Sequence, residues 1–215
     1  MLKINQLTGF GAGGVVGLSF VDSATSLNSD AITVPGTAAV GDIAILFDVA
    51  VNLSTTTPTN VVPSGWSSLT TYAHNSSAFF RNTISYKKLA SGEPGSSVTG
   101  MNDDNEAKVM LIFRANESTL TAFDIDTDDG ITALTAQTIT SSGGTVPLIA
   151  LGMKTSYGGS VATLTGFDGA VTPGNSNIEL TAGYSTQTET AANVTASTVD
   201  DGNQQSLVSM YVQLS

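Results

Sequence analysis

The densest cluster of chemically capable side chains is Asp124-Ile125-Asp126-Thr127-Asp128-Asp129-Gly130. Alternate aspartates at Asp124, Asp126 and Asp128 can present carboxylate oxygens to a hard cation such as calcium, which takes about 6–8 oxygen ligands. An EF-hand loop counted from Asp124 would need glycine at its sixth position and glutamate at its twelfth, where this chain has Asp129 and Thr135. Two readings stay open: a calcium site of another kind on those three aspartates, and a solvated acidic linker. No other cofactor is indicated. The single histidine, His74, lies in Tyr72-Ala73-His74-Asn75-Ser76 and reads as a solvent-facing loop residue. With one histidine and no cysteine, zinc sites built from several N or S ligands and thiolate nucleophiles are excluded. No G-x-S-x-G elbow is present, and nothing marks a catalytic carboxylate pair. Gly9-Phe10-Gly11-Ala12-Gly13-Gly14 fits the spacing G-x-G-x-x-G. That motif binds a dinucleotide only between a strand and a helix. Here only Met1 to Leu7 precede it and the β-like Val15 to Val21 follows, so a flexible arm or turn is the reading. The expectation is a protein without catalytic residues.

The balance of charge points the same way. Seven Lys and Arg stand against 18 Asp and Glu, a net charge of −11 in 215 residues. Nucleic-acid binding needs a cationic footprint that releases counterions from phosphate, and docking on anionic lipid needs one too. Neither partner is expected. No segment approaches the ~18 consecutive apolar residues of a membrane span. Charged residues make up only 12% of the chain and apolar ones 40%, so this is not a charged disordered segment.

The elements that would position these side chains read as strands. Ile43, Ile45, Phe47 and Val49 alternate along one segment, as do Ile178, Leu180, Ala182 and Tyr184, and Val208, Met210, Val212 and Leu214. Period-two patterns bounded by Gly, Asn, Asp and Pro mark half-buried strands. One segment competes for helix, because Asp103-Asp104-Asn105-Glu106 before Ala107 resembles an N-cap with an acidic first turn. The strand reading of Lys108 to Arg114 is preferred, since its counterpart near the C-terminus alternates cleanly. The chain also repeats an order of elements at an offset of about 100 residues. In the first half Ala31 to Val34, Gly41 to Leu46, Ser64-Gly65-Trp66, Thr83 to Lys88, Val98-Thr99 and Val109 to Phe113 follow one another. In the second, Ala136 to Ile139, Val146 to Leu151, Thr165-Gly166-Phe167, Ile178 to Tyr184, Val194-Thr195 and Val208 to Val212 do the same. The expected fold is all-β, an antiparallel β-sandwich of jelly-roll character built from two similar halves. Residues 1–30 form an N-terminal arm and first strand, residues 31–215 the sandwich, and the halves run at about 31–120 and 131–215. Trp66 and its counterpart Phe167 are expected to plug the core at a sheet edge, with a sugar-stacking role as the alternative for Trp66.

Several of these segments carry a resemblance. Ile32-Thr33-Val34-Pro35, Val40-Gly41-Asp42-Ile43, Pro63-Ser64-Gly65-Trp66 and Ser85-Tyr86-Lys87-Lys88-Leu89-Ala90 stand in one order. Gly92-Glu93-Pro94-Gly95-Ser96, Leu111-Ile112-Phe113-Arg114 and Phe123-Asp124 follow. This series resembles a β-sandwich module of tailed-phage virion structural proteins, both decoration-like and tail-fibre-like. The second half departs from it, with Pro147 in place of Gly-Asp and Phe167 in place of tryptophan. The resemblance implies a non-enzymatic phage protein on the virion exterior, assembled in the host cytoplasm. Capsid decoration or cementing is the first expectation, and a tail-associated or tail-fibre protein binding a host glycan receptor is the alternative. Its implied partners are capsid or tail proteins of the same particle and further copies of itself, with a trimer expected. Trp66, Tyr72, Tyr157 and Tyr184 are the aromatic residues that exposed loops would offer to a glycan.

Overall fold

A computed structural model describes residues 18–52, 61–75, 79–101, 106–115, 119–130, 137–140, 148–157, 164, 166–173, 178–187, 193–196 and 204–214. Within them the chain runs through fourteen strands and no helix: β1 (Ser19–Leu27), β2 (Ile32–Thr33), β3 (Ile43–Asn52), β4 (Ser67–Asn75), β5 (Phe79–Lys88), β6 (Ser97–Val98) and β7 (Glu106–Arg114), then β8 (Leu120–Gly130), β9 (Gln137–Thr140), β10 (Leu148–Tyr157), β11 (Gly169–Val171), β12 (Ile178–Gln187), β13 (Asn193–Ala196) and β14 (Gln204–Leu214). The first five-stranded sheet has the order β1-β7-β3-β5-β4, and the second has β8-β14-β10-β12-β11. Two small sheets pair β2 with β6 and β9 with β13. Every pairing is antiparallel. Adding seven to each label of the first sheet reproduces the second, and the small sheets obey the same shift.

The alternation seen in the sequence becomes the inner face of a sandwich. Ile43, Ile45, Phe47 and Val49 of β3 pack with Val109, Leu111 and Phe113 of β7. Against them lie Ile149, Leu151 and Met153 of β10, Leu180 and Ala182 of β12, and Val208, Met210 and Val212 of β14, all in one core. Burying each large apolar side chain contributes roughly 1.5–3 kcal/mol. A one-residue slip would turn this whole set outward, so the core fixes the register. At one end the interior is polar: the Asn82 amide donates to Ser206 Oγ at 2.5 Å, and Ser206 Oγ lies 2.6 Å from Thr155 Oγ1. This trio joins β5 of one sheet to β10 and β14 of the other.

The outer face of the first sheet is covered as well. Ala44, Leu46, Met110 and Ile112 lie under Ile32, Val34, Ala38, Leu89 and Met101, with Trp66 and Val98 at the margin. On the second sheet Phe167 and Leu164 pack on Leu207. The Phe167 ring lies over Gly152 and Gly183, where a Cβ on Gly152 would come within 2.4 Å of it. Trp66 directly precedes β4 and Phe167 stands two residues before β11, so each aromatic plugs its own sheet from outside.

The four edges of the two five-stranded sheets are interrupted. The edge strands β1, β4 and β8 each carry a bulge, between Phe20 and Asp22, between Ser68 and Thr70, and opposite Ser209 to Tyr211. The fourth edge, β11, is three residues long. Bulged and shortened edges are poor templates for a further strand.

Three expectations are corrected. Asp124 to Gly130 is neither linker nor loop: it belongs to β8 and pairs with β14, Asp126 opposite Ser209 and Asp128 opposite Leu207. Its low apolar content suits an edge strand, which a polar pattern alone does not distinguish from a linker. His74 lies in β4, opposite Phe80, rather than in a loop. Tyr72 and Tyr184 lie in strands rather than exposed loops. Residues 9–14 and the acidic Asp103-Asp104-Asn105 lie outside the described residues.

Candidate functional site

A cavity of about 210 Å³ opens on the outer side of the first sheet. Its lining mixes the apolar Val34, Leu89, Pro63 and Val98 with the polar Ser64, Ser97 and Thr99. Trp66, Lys87 and Glu93 complete the lining, with the Lys87 ammonium close to Gly65 in the turn that carries Trp66. The single tryptophan of the chain therefore lines this cavity.

Local sequence explains the lining. Pro63-Ser64-Gly65-Trp66 is a tight turn closed by the Trp66 N–H donating to the Pro63 carbonyl at 3.0 Å. Gly65 has φ of 79°, a left-handed conformation at the third turn position that glycine adopts without steric cost. The turn swings the indole out of β4 and over the sheet. Lys87 comes from the end of β5 and meets Glu93 across a second glycine turn. One Glu93 oxygen pairs with the Lys87 ammonium and the other accepts the Ala90 N–H at 2.6 Å. The Ala90 N–H and then Lys87 hold the Glu93 carboxyl below the ordinary carboxylate range. The Val34 N–H donates to the Ser96 carbonyl at 2.9 Å and the Gly95 N–H to the Val34 carbonyl at 3.1 Å, which ties this turn to the β2 segment. The cavity is thus framed by backbone hydrogen bonds.

Two further charged clusters brace the fold. Asp42 accepts a two-pronged contact from Arg114, Nε and Nη2 both at 2.9 Å, and also the Ala39 N–H at 2.8 Å. Burial alone pushes the Asp42 carboxyl up, but Arg114 and the Ala39 N–H outweigh it and leave it below its ordinary value. The pair clamps the end of β7 to the turn before β3, so Gly41-Asp42 and Phe113-Arg114 form one joint. The second cluster lies buried on the outer face of the same sheet. Lys108 faces Asp48 across the strands, with Nζ 3.6 Å from Asp48 Oδ1, pairs with Glu106 of its own strand, and donates to the Ser29 carbonyl at 2.6 Å. Burial pushes the Asp48 carboxyl up to about 6 even though Lys108 pulls it down.

Of the aromatic residues expected at a binding surface, only Trp66 reaches the cavity. Tyr184 stacks on Phe20 with ring centroids 4.5 Å apart and meets Phe113 edge-on at 5.4 Å, so it serves the core. Tyr72 packs against the same core. Tyr157 lies in β10, opposite Ile178 and Gln204. Among the described residues no group of three His, Cys, Asp or Glu side chains is placed to hold a metal ion. Asp124, Asp126 and Asp128 are spaced along β8, where alternate Cα atoms lie roughly 6.5–7 Å apart. Sequence reasoning missed Lys87 and Glu93 as partners. The available signal was Ala90-Ser91-Gly92-Glu93, whose glycine lets the chain turn back on β5.

An indole, an ammonium, a carboxylate and several hydroxyls among apolar side chains suit reversible binding of a small polar molecule. Comparison of the chain with family models, with curated proteins and with solved structures finds no match.

Proposed function

We propose that this chain is a non-enzymatic structural protein of a phage virion surface, a capsid decoration or cement protein built from two similar halves. The observation that carries this reading is how its charged side chains are used. Arg114 with Asp42, Lys108 with Asp48 and Glu106, and Lys87 with Glu93 all brace turns and strands. A double sandwich with four interrupted edges suits a rigid module that stays separate until it meets its particle. The net charge of −11 suits the outer side of a capsid, away from packaged DNA. The resemblance of its turn and core residues to phage decoration-like and fibre-like modules adds to this, and the equal strand order of the two sheets supports the two-half construction.

Quantitative mass spectrometry of purified particles tests the reading. A copy number comparable to that of the major capsid protein is expected, and a handful of copies per particle would move the protein to the tail. Deleting residues Met1 to Gly14 is expected to weaken attachment to capsids while leaving the melting temperature unchanged. Undiminished attachment would remove the arm from the reading.

A second reading, a tail-associated receptor-binding protein, is favoured by one feature, the cavity walled by Trp66. Binding of the isolated chain to host cells is the result that would prefer it.

A further inference from the structure

We propose that the Trp66 cavity is a binding site for one neutral pyranose ring, such as a terminal sugar of a surface glycan. The inference deepens the receptor-binding reading and rests on it only for its biological use. Three properties of the cavity select this ligand class.

The first is size. About 210 Å³ lies below the roughly 300–1,000 Å³ of pockets for drug-sized ligands, so one ring is accommodated and an extended oligosaccharide is not. The second is the combination of an indole with polar groups in one lining. The C–H face of a pyranose is apolar and packs on an indole, while its hydroxyls point away from that face. Trp66 supplies the indole, and Lys87, Glu93, Ser64, Ser97 and Thr99 supply polar groups in the same lining.

The third is charge. Lys87 and Glu93 are in contact, so the pair is close to neutral overall. An ammonium only donates hydrogen bonds and a carboxylate only accepts them. A sugar hydroxyl does both, and two neighbouring hydroxyls can engage the pair together, each in a charge-assisted bond. An anionic sugar meets the Glu93 carboxylate and a cationic one meets the Lys87 ammonium, so each forfeits half of the pair. The site is also built in advance, since the Ala90 N–H fixes Glu93 and the turn at Gly65 fixes Trp66. Little ordering entropy remains to oppose binding.

Trp66 is the only tryptophan, so its emission reports on this cavity alone. The test titrates the full chain with methyl glucopyranoside, methyl galactopyranoside and N-acetylglucosamine, with glucuronate and glucosamine as charged comparisons. At least one neutral sugar is expected to change the Trp66 emission saturably, and both charged sugars are expected to bind more weakly. K87M and E93Q each remove one charged hydrogen-bonding partner and retain Trp66, so each is expected to weaken binding by about tenfold. Should either variant melt early, S97L replaces it, obstructing the cavity from the β6 side without touching the ion pair. The proposal is overturned if no neutral sugar saturates, if glucuronate or glucosamine binds as well as the neutral sugars, or if the folded variants titrate like the parent. Adsorption of the chain to host cells is measured in parallel. Sugar binding without adsorption upholds the site and removes the receptor reading, whereas adsorption unaffected by K87M and E93Q in the absence of sugar binding overturns the site and leaves that reading standing.

Discussion

Replacing Lys108 with methionine isolates the energetics of the buried charge cluster. The substitution keeps the aliphatic stem of a side chain that is 1% exposed and removes only the ammonium. Asp48 and Glu106 then share a dry site without their cation, and the Ser29 carbonyl loses its donor. Breaking a buried pair by removing one partner costs about 3–5 kcal/mol. In a chain of this length that lowers the melting temperature by roughly 6–20 °C. The pH dependence gives the sharper check. In the parent chain Asp48 is raised from 3.8 to about 6. A carboxyl raised on folding favours the folded state below its ordinary value, and that contribution is lost as pH rises through about 6. A difference of ~2 pKa units corresponds to ~3 kcal/mol between those limits. Lys108 opposes the rise, so K108M pushes Asp48 higher and makes the loss at neutral pH larger. Urea unfolding of parent and K108M at about pH 7.5 and about pH 4.5 reads both effects. The variant is expected to lose about 3–5 kcal/mol at the higher pH and less at the lower, because a protonated Asp48 needs no cation. Adding D48N is expected to restore part of the loss at the higher pH, since Glu106 still lacks its cation. A cost below about 1 kcal/mol at pH 7.5, or the same cost at both pH values, would refute the reasoning.

Other outcomes follow from single contacts. G152A places a Cβ within 2.4 Å of the Phe167 ring and is expected to cost about 1–3 kcal/mol by thermal melting, with F167L in the same chain recovering part of it. N82A leaves Ser206 Oγ without its donor from across the sandwich and is expected to cost about 1–3 kcal/mol by urea unfolding. Asp42 is held below its ordinary value, so its contribution is present above pH 3.8 and lost as pH falls through the lower folded value; D42N is expected to melt earlier than the parent at neutral pH and to close that gap under acid. Asp124, Asp126 and Asp128 follow one another along a paired strand, so excess EDTA is expected to leave the melting temperature unchanged; a drop on chelation would establish a calcium site on them.

Most of the strands were legible because burial on one face imposes a two-residue period, and β3, β12 and β14 carry it openly. The preference for strand over helix at Lys108 to Arg114 holds, since β7 runs Glu106–Arg114. Trp66 was readable as a plug because an aromatic just after a glycine turn has a sheet to fall back on. Three kinds of feature were hidden. Edge strands such as β8 bury little, so their pattern is that of a linker. The outer face of β3 and β7 is buried by a distant segment, which makes Lys108 and Asp48 look like surface charges when they are not. The Lys87–Glu93 pair depends on a turn whose direction is set by the positive φ of Gly92, 84°, which composition does not reveal.

The shared strand order has a consequence for the covalent chain itself. One sheet is drawn entirely from Ser19–Arg114 and the other entirely from Leu120–Leu214, so no strand crosses between them. Among the described strands, the first sheet ends in sequence at Arg114 and the second begins at Leu120. Cutting the gene at that point yields two fragments, each with every backbone partner for its own sheet and each with one naked apolar face. Neither fragment can hide that face alone, yet the two faces match. The protein is therefore a natural candidate for reassembly from two separately encoded pieces, with the core acting as the interface between them.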